Sequence, residues 1–274
     1  MKVSGDGFIS NQGRQESERI LARHCLVFHQ LEEIIGKCRA FVTAANITGQ
    51  DTKEDRQKVI ALVLAVRLLE ITEAALLVMK SGMSNEANTL FRVFLDAYFV
   101  FANVCSDAGF IAGYLESDEA ARLKLLNSVE KHDSELFRRI NEYATDQLKA
   151  DLKQKIADEN IQAFNSYVYA DNVRCSEIYD SMYRLMSSSL HTTPRSLEKY
   201  VEEDRSGNIV EIKYYPMEND IPHRMYDFAY FLIKILSGLK EVFGSLHTEE
   251  IEAMIEELDR SANKHSKLRS ANRR

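Results

Sequence analysis

VIALVLAVRLLEITEAALLVMKSGMSNEANTLFRVFLDAYFVFANV, residues 59–104, decides the fold class of this chain. Between Val59 and Val66 it is apolar on nearly every side, within a helical pattern spanning 53–80. A helix that is apolar all round belongs in the middle of a bundle. Ser81 and Gly82 supply the stop, since glycine accepts the left-handed backbone past a helix end. Ser84 then offers an N-cap to a second helix, central and rich in Phe and Tyr. Ala87 stands at N3, so the capping box is incomplete.

Outward from this pair the helical pattern continues. Residues 15–45 carry an apolar stripe of Leu21, Cys25, Phe28, Leu31, Ile35, Cys38 and Val42 at spacings of three and four. NITGQD (46–51) is a turn. Residues 1–13 hold Gly and Ser, lack an apolar run, and read as a flexible N-terminus without a signal peptide. A Gly-punctuated segment covers 107–117. Residues 118–165 are densely charged, with thin apolar spacing through Leu123, Leu126, Leu136, Ile140, Leu148, Leu152 and Ile156. They read as two or three exposed helices, an excursion from the bundle rather than a second domain. KYVEED, RSGN and IVEIKYY predict a β-hairpin over 198–215, with Val201 against the alternating Val210, Ile212 and Tyr214. An apolar helix (219–243), an amphipathic one (248–262, on Ile251, Met254, Ile255 and Leu258) and a basic tail (264–274) close the chain. The expected fold class is therefore mainly α: a helical bundle with one small β-hairpin, in a single helical domain over 14–263.

Composition narrows the function. With 11 Gly and 3 Pro in 274 residues, long helices are favoured over sheet. A formal charge of −7 argues against an overall basic nucleic-acid binder, though the tail from Arg260 onward holds six Lys/Arg and no acid. Cys25, Cys38, Cys105 and Cys175 are far apart and form no CxxC, so all four read as small buried residues. His24 and His29 are five apart, on different helix faces, and no zinc spacing, HExxH, GxSxG or phosphate loop is present. Neither metal nor cofactor is expected. The most apolar window, 95–104, is short, follows Arg92 and itself holds Asp96. No membrane span is expected, and the expected location is the cytoplasm.

Two polar constellations stand out. EIYDSMYRLMSSSLHTTP (177–194) is an amphipathic helix ended by Pro194, and Arg184, Ser188 and His191 share its polar strip. Ile178, Tyr179, Met182, Tyr183, Leu185, Met186 and Leu190 are expected on the buried side. A histidine can give or take a proton near neutral pH, and an arginine fork fits phosphate oxygens. Those are the needs of RNA cleavage by its own 2′-OH. The same residues have plainer roles open to them: His191 can cap the last carbonyls, and Arg184 can pair with Asp180. The second constellation is Arg92 and Asp96, four apart inside LFRVFLDAYF, with Glu70 and Glu73 on the preceding helix. An arginine there needs a carboxylate partner, which reads as a buried structural ion pair fixing helix packing.

RLLEITEAALLVMKSGMSNEANTLFRVFLDAYF and MYRLMSSSLHTTPRSLEKY together resemble an all-helical bacterial family of unknown function. In that family a Glu-bearing helix precedes one with an Arg and an acid four later, and a serine stands three residues before a histidine. The family is similar, distantly, to the HEPN superfamily. Its ribonucleases carry an Arg, four to six residues, then a His, as Arg184 and His191 do here. Asp96 stands where the longer Glu is usual, and Leu185 where many carry a polar residue. The resemblance implies a metal-independent RNA endonuclease of a toxin or phage-defence system, a homodimer whose two protomers share a cleft. His191 would be the acid/base, Arg184 the phosphate clamp and Ser188 an orienting group. The alternative is a non-catalytic helical interaction protein, an immunity or regulatory factor whose acidic balance suits a basic protein partner.

Overall fold

A computed structural model describes residues 2–47, 52–129, 135–191, 193–218 and 220–244, together with 253, 254, 256, 257 and 260. In chain order the elements are β1 (Lys2–Ser4), α1 (Asn11–Arg23), α2 (Cys25–Ala44), α3 (Lys53–Lys80), α4 (Ser84–Ser106), α5 (Phe110–Val129), α6 (Arg138–Tyr143) and α7 (Asp146–Asp158). Next come α8 (Ser166–Asn172), a single turn α9 (Ser176–Ile178), a π-helical turn (Tyr179–Tyr183), α10 (Arg184–Leu190) and α11 (Pro194–Leu197). The strands β2 (Val201–Glu203) and β3 (Ile209–Lys213) lead to α12 (Ile221–Phe243). The protein is mainly α, with one small sheet.

The bundle is a ring of α2, α3, α4 and α12. α3 starts where Thr52 accepts a hydrogen bond from the Asp55 amide at 3.1 Å, and it ends at Ser81. Gly82 follows in the left-handed region (φ 73°), and the Met83 amide reaches back to the Val78 carbonyl at 2.9 Å. α4 then runs through the centre, its aromatics meeting those of α12. Phe91 and Phe94 lie edge-on to Phe228 at 5.0 and 5.2 Å, and Tyr98 to Phe231 at 4.7 Å. Each such burial contributes about 2–3 kcal/mol, so this seam supplies much of the driving force. By length and composition α4 could cross a membrane, yet more than half of its most apolar window is buried inside the bundle.

Several expectations change. The predicted helix 15–45 is two helices, broken at His24. That residue turns inward, with Nε2 3.1 Å from Glu218 Oε2, while Arg23 pairs with the same carboxylate. The break moves the stripe to Ile20, Val27, Phe28, Leu31, Ile34, Ile35 and Cys38, leaving Leu21 and Cys25 exposed. Of the four cysteines, Cys38 and Cys105 are buried, and burial pushes both thiols up to about 12. Residues 2–4, expected to be loose, form β1, parallel to β3 with Val3 opposite Ile212. β2 and β3 pair antiparallel as the hairpin predicts, Val201 opposite Ile212, so the sheet has three strands in the order β1-β3-β2. Ser84 is the first helical residue of α4 and Met83 its N-cap. The Gly-punctuated segment 107–117 enters α5 at Phe110, which lies edge-on to Tyr169 at 5.1 Å.

The charged excursion is helical, as its pattern suggests. α7 packs on α5, and Leu126, Val129, Leu152 and Ile161 are buried apart from the main core cluster. α3, expected in the middle of the bundle, keeps one face in solvent along Val59, Val63 and Val66. Most of the predicted helix 248–262, and all of the basic tail 264–274, lie outside the described residues. Met254 is buried in the core cluster.

Candidate functional site

Asn85, Thr89, Arg92 and Asp96 are spaced four, three and four along α4, which sets them in one polar stripe on a helix otherwise dense in aromatics. α8, the π-turn and α10 close over this stripe. Arg92, its side chain 15% exposed, is held from three sides. Nε donates to Ser187 Oγ at 3.1 Å, Nη1 pairs with Asp96, and Nη2 donates to the Tyr183 hydroxyl. Its guanidinium carbon also lies 3.4 Å from the Tyr183 ring centroid. Asp96 accepts from Ser166 Oγ at 2.5 Å and from the Tyr183 hydroxyl at 3.0 Å. Burial, with Asp96 adding to it, pushes the Tyr183 phenol above its ordinary pKa, so the ring is neutral and free to donate. A nearly buried guanidinium is tolerated because its donors are matched in this way.

The π-turn aims the tyrosines. A π-helix turns less per residue than an α-helix, so residues four apart stand close to one line. Tyr179 and Tyr183 accordingly stack at 4.4 Å with their planes 21° apart. Tyr183 and Met186 are buried against α4, whereas Leu185 (61% exposed) and Leu190 face solvent, against expectation. The π-turn offsets α10 from the register that a continuous α-helix over 177–190 would keep. Thr89 Oγ1 donates to the Ser189 carbonyl at 3.2 Å, and Asn85 Nδ2 to the Tyr200 hydroxyl at 2.6 Å. α10 is thus tied to α4 through Ser187 and Ser189, and the chain beyond α11 through Tyr200.

The predicted site residues fall as follows. Arg92 and Asp96 form the ion pair that their spacing implies. Glu70 and Glu73 do not join it: Glu70 sits 3.5 Å from Arg67, and Glu73 2.6 Å from Arg39 of α2. Both lie on the side of α3 that turns toward α2 and solvent. Arg184 is 65% exposed, with Nε 2.9 Å from Asp180 and its guanidinium carbon 5.6 Å from the Tyr179 ring centroid. Ser188 Oγ donates to the Leu185 carbonyl at 2.7 Å, so toward a ligand it can only accept. His191 leaves the helix with extended backbone and is exposed; its carbonyl accepts from the Thr193 amide at 2.8 Å. Among the described residues no hydrogen bond joins Arg184, Ser188 and His191 to one another. Sequence reasoning missed Tyr183, Ser187 and Ser166. The period of the polar stripe in α4 was the available signal, because each polar group there demands a partner.

A second polar knot lies at the start of α12. Arg224 Nε donates to Asn88 Oδ1 at 2.9 Å, Nη1 pairs with Asp227 at 2.7 Å, and its guanidinium carbon sits 4.4 Å from the Phe91 ring centroid. Burial pushes the Asp227 carboxyl up to about 6, against the pull of Arg224. Among the described residues no group of His, Cys, Asp and Glu is placed to hold a metal ion. A cavity of about 470 Å³ lies elsewhere, between the loop after β1 and α1.

Residues 58–209, more than half of the chain, match a family of unknown function (DUF5677). The chain belongs to that family. The matched span runs from α3 into β3 and contains the whole Arg92 network together with Arg184, Ser188 and His191, whereas α1, α2 and α12 lie outside it. Neither the curated proteins nor the solved structures include a match.

Proposed function

We propose that the α10–α11 face acts on RNA as an endonuclease. The observation that carries this reading is local charge: residues 181–197 hold Arg184, His191, Arg195 and no carboxylate, in a chain of net charge −7, and the pair of Arg184 with Asp180 just before them is exposed, so a phosphate can displace it. The face is presented on a helix clamped from behind by Arg92, which suits preorganised catalysis. A ribose 2′-OH loses its proton to a base and attacks the adjacent phosphorus. The bond to the 5′ oxygen breaks, that oxygen takes a proton, and a 2′,3′-cyclic phosphate remains. His191 serves as acid or base, Arg184 as clamp on the phosphate oxygens, and the Ser188 oxygen accepts a hydrogen bond that orients the sugar or the imidazole. Such an activity, in the cytoplasm, fits a toxin or phage-defence effector.

The test is cleavage of end-labelled single-stranded RNA by wild type, His191→Ala and Arg184→Ala, beside growth after induced expression of each. Cleavage should vanish in the His191 variant and fall in the Arg184 variant, with circular dichroism and melting unchanged. Wild-type cleavage by His191→Ala sinks the reading. A second reading has its own support: Leu185, Leu190 and Leu197 lie exposed on the same segment, which suits a helical interaction protein docking a partner. It expects no cleavage by wild type and capture of a partner that Leu185→Glu abolishes.

A further inference from the structure

α3 is apolar on nearly every side between Val59 and Val66, yet one of its faces meets solvent. Val59, Val63 and Val66 are 40, 59 and 41% exposed, while Ala61 and Leu68, on the opposite side, are fully buried. The exposed face is regular. Arg56, Val59, Val63, Val66, Glu70 and Glu73 follow one another at spacings of three and four, a heptad seam with β-branched residues at its centre. A soluble helix with one wet face ordinarily fills that face with polar residues.

We propose that this seam is the contact with a second copy of the chain, α3 against α3, antiparallel about a two-fold axis between residues 64 and 65. Charge selects the arrangement. Parallel pairing would set Arg56 on Arg56 and each glutamate on itself. In the antiparallel register Val63 of each copy faces Val66 of the other, and Arg56 faces Glu73. Glu70, opposite Val59, sits one turn from the same arginine, so the two carboxylates, which pair with Arg67 and Arg39 within their own chain, gain a second cation at each end of the seam. Sliding by one heptad either way sets Val66 against Arg56 or against Glu70. An isologous contact of this kind closes as a dimer. Three valines a side make a small core, so the dissociation constant should be on the order of micromolar. The inference rests on α3 alone and stands apart from the nuclease reading.

Sedimentation velocity of the full chain from about 1 to 200 μM tests it, that range bracketing the expected constant. A monomer–dimer equilibrium is expected, and Val63→Lys, a surface change, should weaken it by about tenfold or more. The register is read by oxidative cross-linking in a Cys25→Ser background. The pair Val63→Cys with Val66→Cys should give a covalent dimer; Val59→Cys with Val63→Cys should not. A monomer throughout the range overturns the proposal, as does a dimer indifferent to Val63→Lys. Loss of melting temperature in Val63→Lys at unchanged mass would assign the face to an intrachain segment instead. A Val63-dependent complex with another protein, in place of the dimer, would overturn it too.

Discussion

Replacing Arg92 by alanine removes the cation from a network that α4, α8, the π-turn and α10 all share. Three contacts go at once: the pair with Asp96 and the hydrogen bonds to Tyr183 and Ser187. Losing one partner of a buried ion pair costs about 3–5 kcal/mol, because the other charge stays behind. Asp96 is 30% exposed and keeps its Ser166 and Tyr183 donors, so the loss should fall near the low end, about 3 kcal/mol. In a chain of this size that is roughly a 6–12 °C drop in melting temperature. Urea unfolding followed by circular dichroism measures it. Asp96→Ala should cost about as much, and the double variant far less than the sum, with a coupling of about 1–3 kcal/mol. A loss below about 0.5 kcal/mol in Arg92→Ala, or additive single variants, would show that the network does not hold α10 to α4.

Asp227 supplies a pH dependence. Its folded pKa of about 6 lies above the ordinary 3.8, so the charged form is disfavoured by folding. The stability tied to this group is full below about pH 4 and is lost as pH rises through 6. Between pH 7.5 and 5, wild type should therefore gain melting temperature relative to Asp227→Asn; a parallel shift of both proteins would contradict the assignment. Gly82→Ala should destabilise by about 2–4 kcal/mol in urea unfolding, joining left-handed strain to overpacking. An added Cβ there would sit 2.4 Å from Pro216 Cβ and 2.9 Å from Ile20 Cδ1. Wild-type stability in that variant would mean that the α3–α4 turn is looser than described. Glu70→Ala should change stability by less than about 0.5 kcal/mol, since its pairing with Arg67 is exposed, and a loss above 2 kcal/mol would return it to the Arg92 network.

Much of this protein was legible from local pattern. The span of α3, its stop at Ser81 and Gly82, the hairpin with Val201 opposite Ile212, and the helical excursion after 118 all follow from periodicity and turn chemistry. Those are properties of neighbours in the chain. The Arg92–Asp96 pair belongs with them, because four residues on a helix place two side chains on one face.

Other features have no local signature. The break at His24 depends on Glu218, and β1 depends on β3; in each case the partner is about two hundred residues away. Glu70 and Glu73 looked eligible to pair with Arg92 because they are close in sequence, but the side of α3 that meets α4 was settled by how the aromatics of α4 met those of α12. The π-turn was equally hidden, and with it went the true facing of Leu185 and Leu190 and the capture of Arg92 by Tyr183 and Ser187. The sequence by itself determined that this chain is helical, where most helices run, and that α4 carries a charge needing a partner. Tertiary structure alone decided which partners arrived. Side-chain pairing across elements depends on packing free energy summed over the whole core, and no stretch of sequence contains that sum.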